Sequence, residues 1–268
     1  MKNILLLLHD DSGQEARLQV GLHLARALDG HLCCLDVVQA PVQGGCLTPD
    51  GQVFLVEYER EQETANRGTI SNRLENEDVP WTMTEATGNI ADCVKRAAGL
   101  SDLIVVNRRL DDFSGPDMMA IASKVVLEAH KPVVAVSEAC RSFDAAGPAI
   151  VAWDGSDPAM AALTGSVPLL RIARSVKIIE IQDSTAGSVR DASAYLSRHD
   201  IHAEVELIAR FKGDPDGPAE IIQAICVREK AAYCVMGAFG HSRLREAILG
   251  GVTRTMLASS EVPLVLAH

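Results

Sequence analysis

The chain has 268 residues, 47% of them hydrophobic and 23% charged, which suits a globular protein with room for two ordinary cores. A formal net charge of −11 argues against nonspecific binding to nucleic acid or to anionic membranes, and leaves open a nucleotide held locally by backbone amides. No apolar run approaches the roughly 20 residues that span a bilayer.

Residues 4–8, Ile-Leu-Leu-Leu-Leu, read as a first strand. The run is too short for a signal-peptide core and leads straight into Asp10-Asp11, so a cytoplasmic location is expected. Cys33 and Cys34 adjoin each other in a run that alternates between core and surface, which explains the pair more simply than redox chemistry does. The other cysteines, Cys46, Cys93, Cys140, Cys226 and Cys234, form no C-x-x-C and read as small buried residues of a reducing compartment. Between residues 48 and 78 lie Glu57, Glu59, Glu61, Glu63, Glu75 and Glu77. The plain reading is a solvated helix face; the sharper one is an acidic docking helix. Two more apolar runs follow at 102–106 and 131–136, and an Ala-, Ser- and Gly-containing stretch at 138–148 suits a linker.

The second half repeats the first. Residues 149–153 and then Asp154-Gly155-Ser156 echo residues 4–8 and the Asp-x-Ser that follows; 232–236 echo 102–106, and 262–267 echo 131–136, in the same order. Strands are expected at about 149–153, 176–181, 203–208, 232–236 and 263–267, with helices at 157–172, 187–199, 217–230 and 252–260. Such alternation requires crossover connections and a parallel sheet covered on both faces. In a doubly wound sheet a ligand lies beyond the C-terminal strand ends, at a switch point. Asp154 and Gly237 both follow apolar runs at such a place.

The richest stretch is Gly237-Ala238-Phe239-Gly240-His241-Ser242-Arg243, continuing to Gly250-Gly251-Val252-Thr253. Glycines between a strand end and a helix start let backbone N–H groups approach an anion, and the helix dipole adds about half a positive charge there. There is no G-x-x-x-x-G-K-[ST] and no G-x-G-x-x-G. The pattern is G-x-x-G, nine residues, then G-G-V-T. It resembles the nucleotide-binding signature of the universal stress protein (UspA-like) family, G-x-x-G, nine residues, G-[ST]. Gly237, Gly240 and Gly250 match, and Gly251 departs where the family's ATP binders carry Ser or Thr. With the repeat, the resemblance covers nearly the whole chain. It implies two tandem α/β modules, at 1–139 and 147–268. Each would be a doubly wound, five-stranded parallel sheet of order 3-2-1-4-5, adenine-nucleotide alpha-hydrolase-like, with helices on both faces. It also implies an intramolecular pseudo-dimer with 132–136 near 262–267, and leaves room for a further homodimer.

The same resemblance implies an adenine nucleotide, ATP or else AMP or ADP, with or without magnesium, in the C-terminal module. The site residues it implies are Ala152, Asp154, Ile181, Met236, Gly237, Gly240, His241, Arg243, Gly250, Gly251, Val252 and Thr253. Each has a plainer reading. Asp154 meets the adenosine portion, or caps the helix from 157, a role Ser156 or Asp157 can also fill. Ile181 and Met236 are core residues first. His241 and Arg243 face phosphate or water, and Thr253 binds phosphate or caps its helix. In the first half Asn107 and Arg108 replace Gly237 and Ala238, and Asp111-Asp112 would repel phosphate, so that module reads as degenerate. No G-x-S-x-G, H-E-x-x-H or paired Cys/His metal spacing is present, and no catalytic residue is assigned; any ATP hydrolysis is expected to be slow and incidental. The function expected is that of a stress-response protein with nucleotide-linked regulation; the alternative is a nucleotide-free interaction scaffold of the same fold.

Overall fold

A computed structural model of the chain describes residues 1–39, 49–112, 115–182, 189–210, 216–240 and 251–268. The first half runs β1 (Asn3–Leu8), α1 (Gln14–Leu28), β2 (His31–Gln39), α2 (Pro49–Leu74), β3 (Trp81–Gly88), α3 (Ile90–Ala97), β4 (Leu103–Arg109), α4 (Met118–Ala129) and β5 (Val133–Ser137). The second runs β6 (Pro148–Trp153), α5 (Asp157–Gly165), α6 (Val167–Leu170), β7 (Ser175–Gln182), α7 (Val189–Ser197), β8 (Ala203–Ala209), α8 (Pro218–Arg228), β9 (Tyr233–Gly237), α9 (Val252–Ser259) and β10 (Leu264–Ala267). The expected helix at 157–172 is two helices: Ser166 closes α5, and Pro168, which has no N–H to donate, lies in the first turn of α6.

All ten strands among the described residues join one sheet, of order β3-β2-β1-β4-β5-β10-β9-β6-β7-β8. Within each half the order is therefore 3-2-1-4-5, with every pairing parallel. The halves meet where β5 and β10 pair antiparallel, Ala135 opposite Leu264 and Val133 opposite Leu266. Strand alternation sends Ile4, Leu6 and Leu8 into the core on one face and Leu5 and Leu7 into the core on the other. Each core continues across the β5–β10 seam. Leu6, Val105, Val134, Val265, Val235 and Val151 share one side, and Leu7, Ile104, Ala135, Leu264, Met236 and Ile150 the other. Arg108 adds a polar tie across the seam. Its Nη1 donates to the carbonyls of Leu257 (2.9 Å) and Ala258 (2.8 Å), in the last turn of α9, where a helix dipole favours a cation.

Cys33 is half-buried and Cys34 buried, as alternation requires. Burial pushes the Cys34 thiol up to about 12, which leaves no nucleophilic thiolate near neutral pH. Among the described residues no helix is long and apolar enough to cross a membrane.

Candidate functional site

Each half reverses strand order once, between β1 and β4 and between β6 and β9. In the second half Ala152 pairs with Met236 one step before the two strands end, so the chain exits at Asp154 and Gly237 lie side by side. Gly155, at φ 72°, turns the chain sharply after β6, a conformation that favours glycine. The Asp154 carboxylate then accepts from the Ser156 N–H (3.0 Å) and hydroxyl (2.6 Å), while Ser156 Oγ accepts from Ala159 N–H (3.3 Å) and caps α5. Ser156 is therefore the cap, and Asp154 is an exposed carboxylate held in place over it.

The glycines of the opposite strand approach this turn closely. A Cβ at Gly237 would lie 2.5 Å from the backbone N of Ala159 and 2.7 Å from the carbonyl carbon of Pro158. A Cβ at Gly240 would lie 3.0 Å from Ser156 Oγ and 3.8 Å from Asp154 Oδ2. Gly237 thus sets the β9–α5 packing, and Gly240 brings bare backbone against the Asp154–Ser156 turn. Between them Phe239 is left-handed, at φ 58°. Its N–H donates to Thr253 Oγ1 (3.1 Å), and Ala238 is pinned by its N–H to the carbonyl of Ala267 (2.8 Å). Thr253 is buried, and its hydroxyl ties the β9 exit to α9, keeping its own proton to donate. Gly251 holds the N-cap position of α9 with no side chain to cap it, followed by Val252. Ile181, half-buried near the end of β7, pairs with Ile208 on the side away from β9. His241, Arg243 and Gly250 lie outside the described residues.

The corresponding place in the first half is built oppositely. By strand register His9 stands where Asp154 stands, and Asn107 where Gly237 stands. The small residue has changed sides. A Cβ at Gly13, just before α1, would lie 2.6 Å from Asn107 Cγ and 2.6 Å from Leu110 Cδ2. Asn107 Oδ1 accepts from Arg17 Nη1. Arg17, fully buried, also donates to the carbonyls of Leu7 (2.9 Å) and His9 (2.9 Å) and to Asp11 (2.9 Å and 3.0 Å). Every direction of its fork is answered within the protein.

Helix α2 closes the same region from above. Its inward stripe runs Glu59, Glu63, Asn66, Ile70 and Leu74 at helical spacing, polar at one end and apolar at the other. The expectation of a solvated acidic face therefore fails at Glu63, which is buried: its Oε1 lies 2.6 Å from His9 Nδ1 and accepts from the Asp10 N–H (2.9 Å). Burial would lower His9, but the hydrogen bond and charge of Glu63, with Asp11 and Glu59, outweigh it and raise it. Burial would raise Glu63, and His9 and the Asp10 amide hold it down instead. Beside Glu63, the buried Asp36 on β2 is pushed up to about 7, first by burial and then by the Glu63 carboxylate. Neither Asp36 oxygen has a hydrogen-bond partner. Nothing in the local sequence marked this cluster, since its members come from three separate elements.

No family model matches the sequence, and no curated protein matches it. Solved structures do. A universal stress protein from Archaeoglobus fulgidus matches 99% of this chain and 95% of its own, with a TM-score of 0.75 at 14% identity. A functionally unknown protein from Pseudomonas aeruginosa matches 100% of this chain and 92% of its own, with a TM-score of 0.63, also at 14% identity. The chain is an α/β protein whose parallel half-sheets are joined edge to edge. Its fold is that of a universal stress protein, matched over the whole chain rather than over one half. At this identity the likeness is one of fold, and it agrees with the glycine signature as a resemblance.

Proposed function

We propose that residues 147–268 form a module that binds one adenine nucleotide across the exits of β6 and β9, and that residues 1–139 form a partner module without such a site. The observation that carries this is the close, side-chain-free approach of Gly240 to the Asp154–Ser156 turn. A fixed carboxylate faces exposed backbone there, with α9 beginning beyond it, an arrangement suited to an adenosine portion at one end and phosphates at the other. In this reading Ala152, Ile181 and Met236 border the base. Asp154 meets the ribose side, and Gly237, Gly240, His241, Arg243, Gly250, Gly251, Val252 and Thr253 surround the phosphates. ATP is the nucleotide proposed, with AMP or ADP preferred if the hydroxyl missing at Gly251 weakens the hold on outer phosphates; magnesium would accompany the triphosphate. The β5–β10 pairing supports reading the chain as an internal pseudo-dimer; the role proposed for it is that of a nucleotide-linked regulatory protein of the cytoplasm.

The test is a thermal-shift titration with ATP, ADP, AMP and cyclic AMP, each with and without magnesium. Saturable stabilisation by one of them is expected, rising by about 2.7 kcal/mol at a hundredfold excess over Kd. It should vanish in Gly240→Val, whose methyls would fill the space over Ser156 and Asp154. Equal affinity in that variant would remove the phosphate-loop assignment. The scaffold alternative is favoured by one feature, the pairing of Thr253 Oγ1 with the Phe239 amide beside the hydroxyl-free Gly251, and absence of any shift at millimolar nucleotide would select it.

A further inference from the structure

The first half holds a polar cluster that the proposed nucleotide site does not use. His9 leaves the end of β1, and Glu59 and Glu63 reach it from successive turns of α2, their Oε1 atoms 3.9 Å and 2.6 Å from His9 Nδ1. One ligand atom from each of the three lies within 4.8 Å of the others. A further carboxylate lies beside Glu63: the Asp36 side chain, only 1% exposed, makes no hydrogen bond through either oxygen. Arg67 Nη1 pairs with Asp36 Oδ2 at 3.5 Å and with Glu85 as well. Glu59, Glu63 and His9 thus meet in a partly closed space beside Asp36, and His9 Nδ1 also lies 3.1 Å from the Val37 carbonyl oxygen. Buried carboxylates beside one another are costly unless positive charge is supplied.

We propose that His9, Glu59 and Glu63 form a binding site for one divalent transition-metal ion, of the mixed imidazole and carboxylate kind that suits zinc or manganese, with the buried Asp36 carboxylate adding negative charge beside it. Bond lengths of about 2.0–2.2 Å to nitrogen and oxygen need Glu63 to withdraw from His9 by less than about 1 Å. The partly exposed Glu59 offers a path for the ion to arrive. The ion clips α2 to the exit of β1, joining positions some fifty residues apart in the chain, where loop closure makes a link most stabilising. It occupies, in the half that lacks the glycine cradle, the place matching Asp154 in the half that has it.

The test uses the full chain, stripped with a chelator and dialysed, and titrated with zinc chloride or manganese chloride alone by calorimetry and thermal shift. One equivalent per chain with a rise in Tm is expected. Glu63→Gln should abolish it, and because that variant can disturb folding, Glu59→Gln serves beside it. Glu59 is a third exposed and carries no structural hydrogen bond to His9, so the variant should keep the fold while weakening the metal by at least the about 10–100-fold seen for supporting residues. No binding at millimolar metal overturns the proposal. So does equal affinity in wild type, Glu59→Gln and Glu63→Gln, which would place the metal elsewhere on the chain.

Discussion

Gly237→Ala is the sharpest structural prediction. The added methyl would stand 2.5 Å from the Ala159 nitrogen, 2.7 Å from the Pro158 carbonyl carbon and 2.9 Å from the Ala159 Cα, against 3.4 Å for ordinary contact. All three are backbone atoms in the first turn of α5, a helix anchored by its Ser156 cap and by buried Ala159, Ala162 and Leu163. No flexible side chain can swing aside, so either the helix start or the end of β9 has to move. Overpacking of this kind costs about 1–3 kcal/mol. For a chain of this size each kcal/mol lowers Tm by about 2–4 °C, so a fall of roughly 2–12 °C is expected. Gly68→Ala supplies the contrast, since a Cβ there, inside α2, meets nothing within 4 Å. It should gain stability by about 0.5–1 kcal/mol from helix propensity alone. Calorimetry of both variants checks the pair. A Gly237→Ala protein that melts with wild type, within about 1 °C, would falsify the close β9–α5 packing.

Three other outcomes follow from particular contacts. Asn107→Gly removes an acceptor from the buried Arg17 guanidinium and should cost about 1–3 kcal/mol by urea denaturation; it should create no second nucleotide site, because His9, Arg17 and Glu63 remain. Gly13→Ala should destabilise by clashing with Asn107 and Leu110, and in the double variant with Asn107→Gly part of that loss should be recovered, a non-additivity that a double-mutant cycle measures. Asp102 accepts the N–H groups of Asn3 (3.0 Å) and Lys2 (2.6 Å), which hold its carboxyl below the usual carboxylate range. A depressed folded-state value stabilises above the unfolded value of about 3.9 and is lost as pH falls through the folded one. Asp102→Asn should therefore be less stable than wild type at pH 7, with the gap closing at acid pH; a gap independent of pH would refute that role.

The α/β alternation was legible because buried parallel strands carry apolar runs that little else explains, and every strand of the second half begins and ends within one residue of its expected place. The helix break at Ser166 was harder to read, since Pro168 fits a helix start as well as a stop. At the candidate site, the sequence marked Asp154, Gly237 and Gly240, and their mutual approach follows from the parallel register of β6 and β9. Asp154 was left open between ligand and cap, with Ser156 or Asp157 as other candidates for the cap, and Thr253 between phosphate ligand and cap. Coordinates assign Ser156 to the cap and give Thr253 a backbone partner. The loss of the glycine cradle in the first half was visible at Asn107. What replaced it was not, because Glu63 looked like one more charge in a run of solvated glutamates.

By itself, then, the sequence determined the elements, their repetition and the strand ends at which a ligand would meet backbone, all of which depend on local periodicity and on where side chains are absent. Only the tertiary structure decided which side of each strand–helix crossing carries the small residue, Gly237 against Ala159 in one half and Gly13 against Asn107 in the other. It also decided that an acidic helix would turn Glu63 inward onto His9 and Asp36. Those outcomes depend on distances between residues some thirty to ninety positions apart, and no local pattern records them.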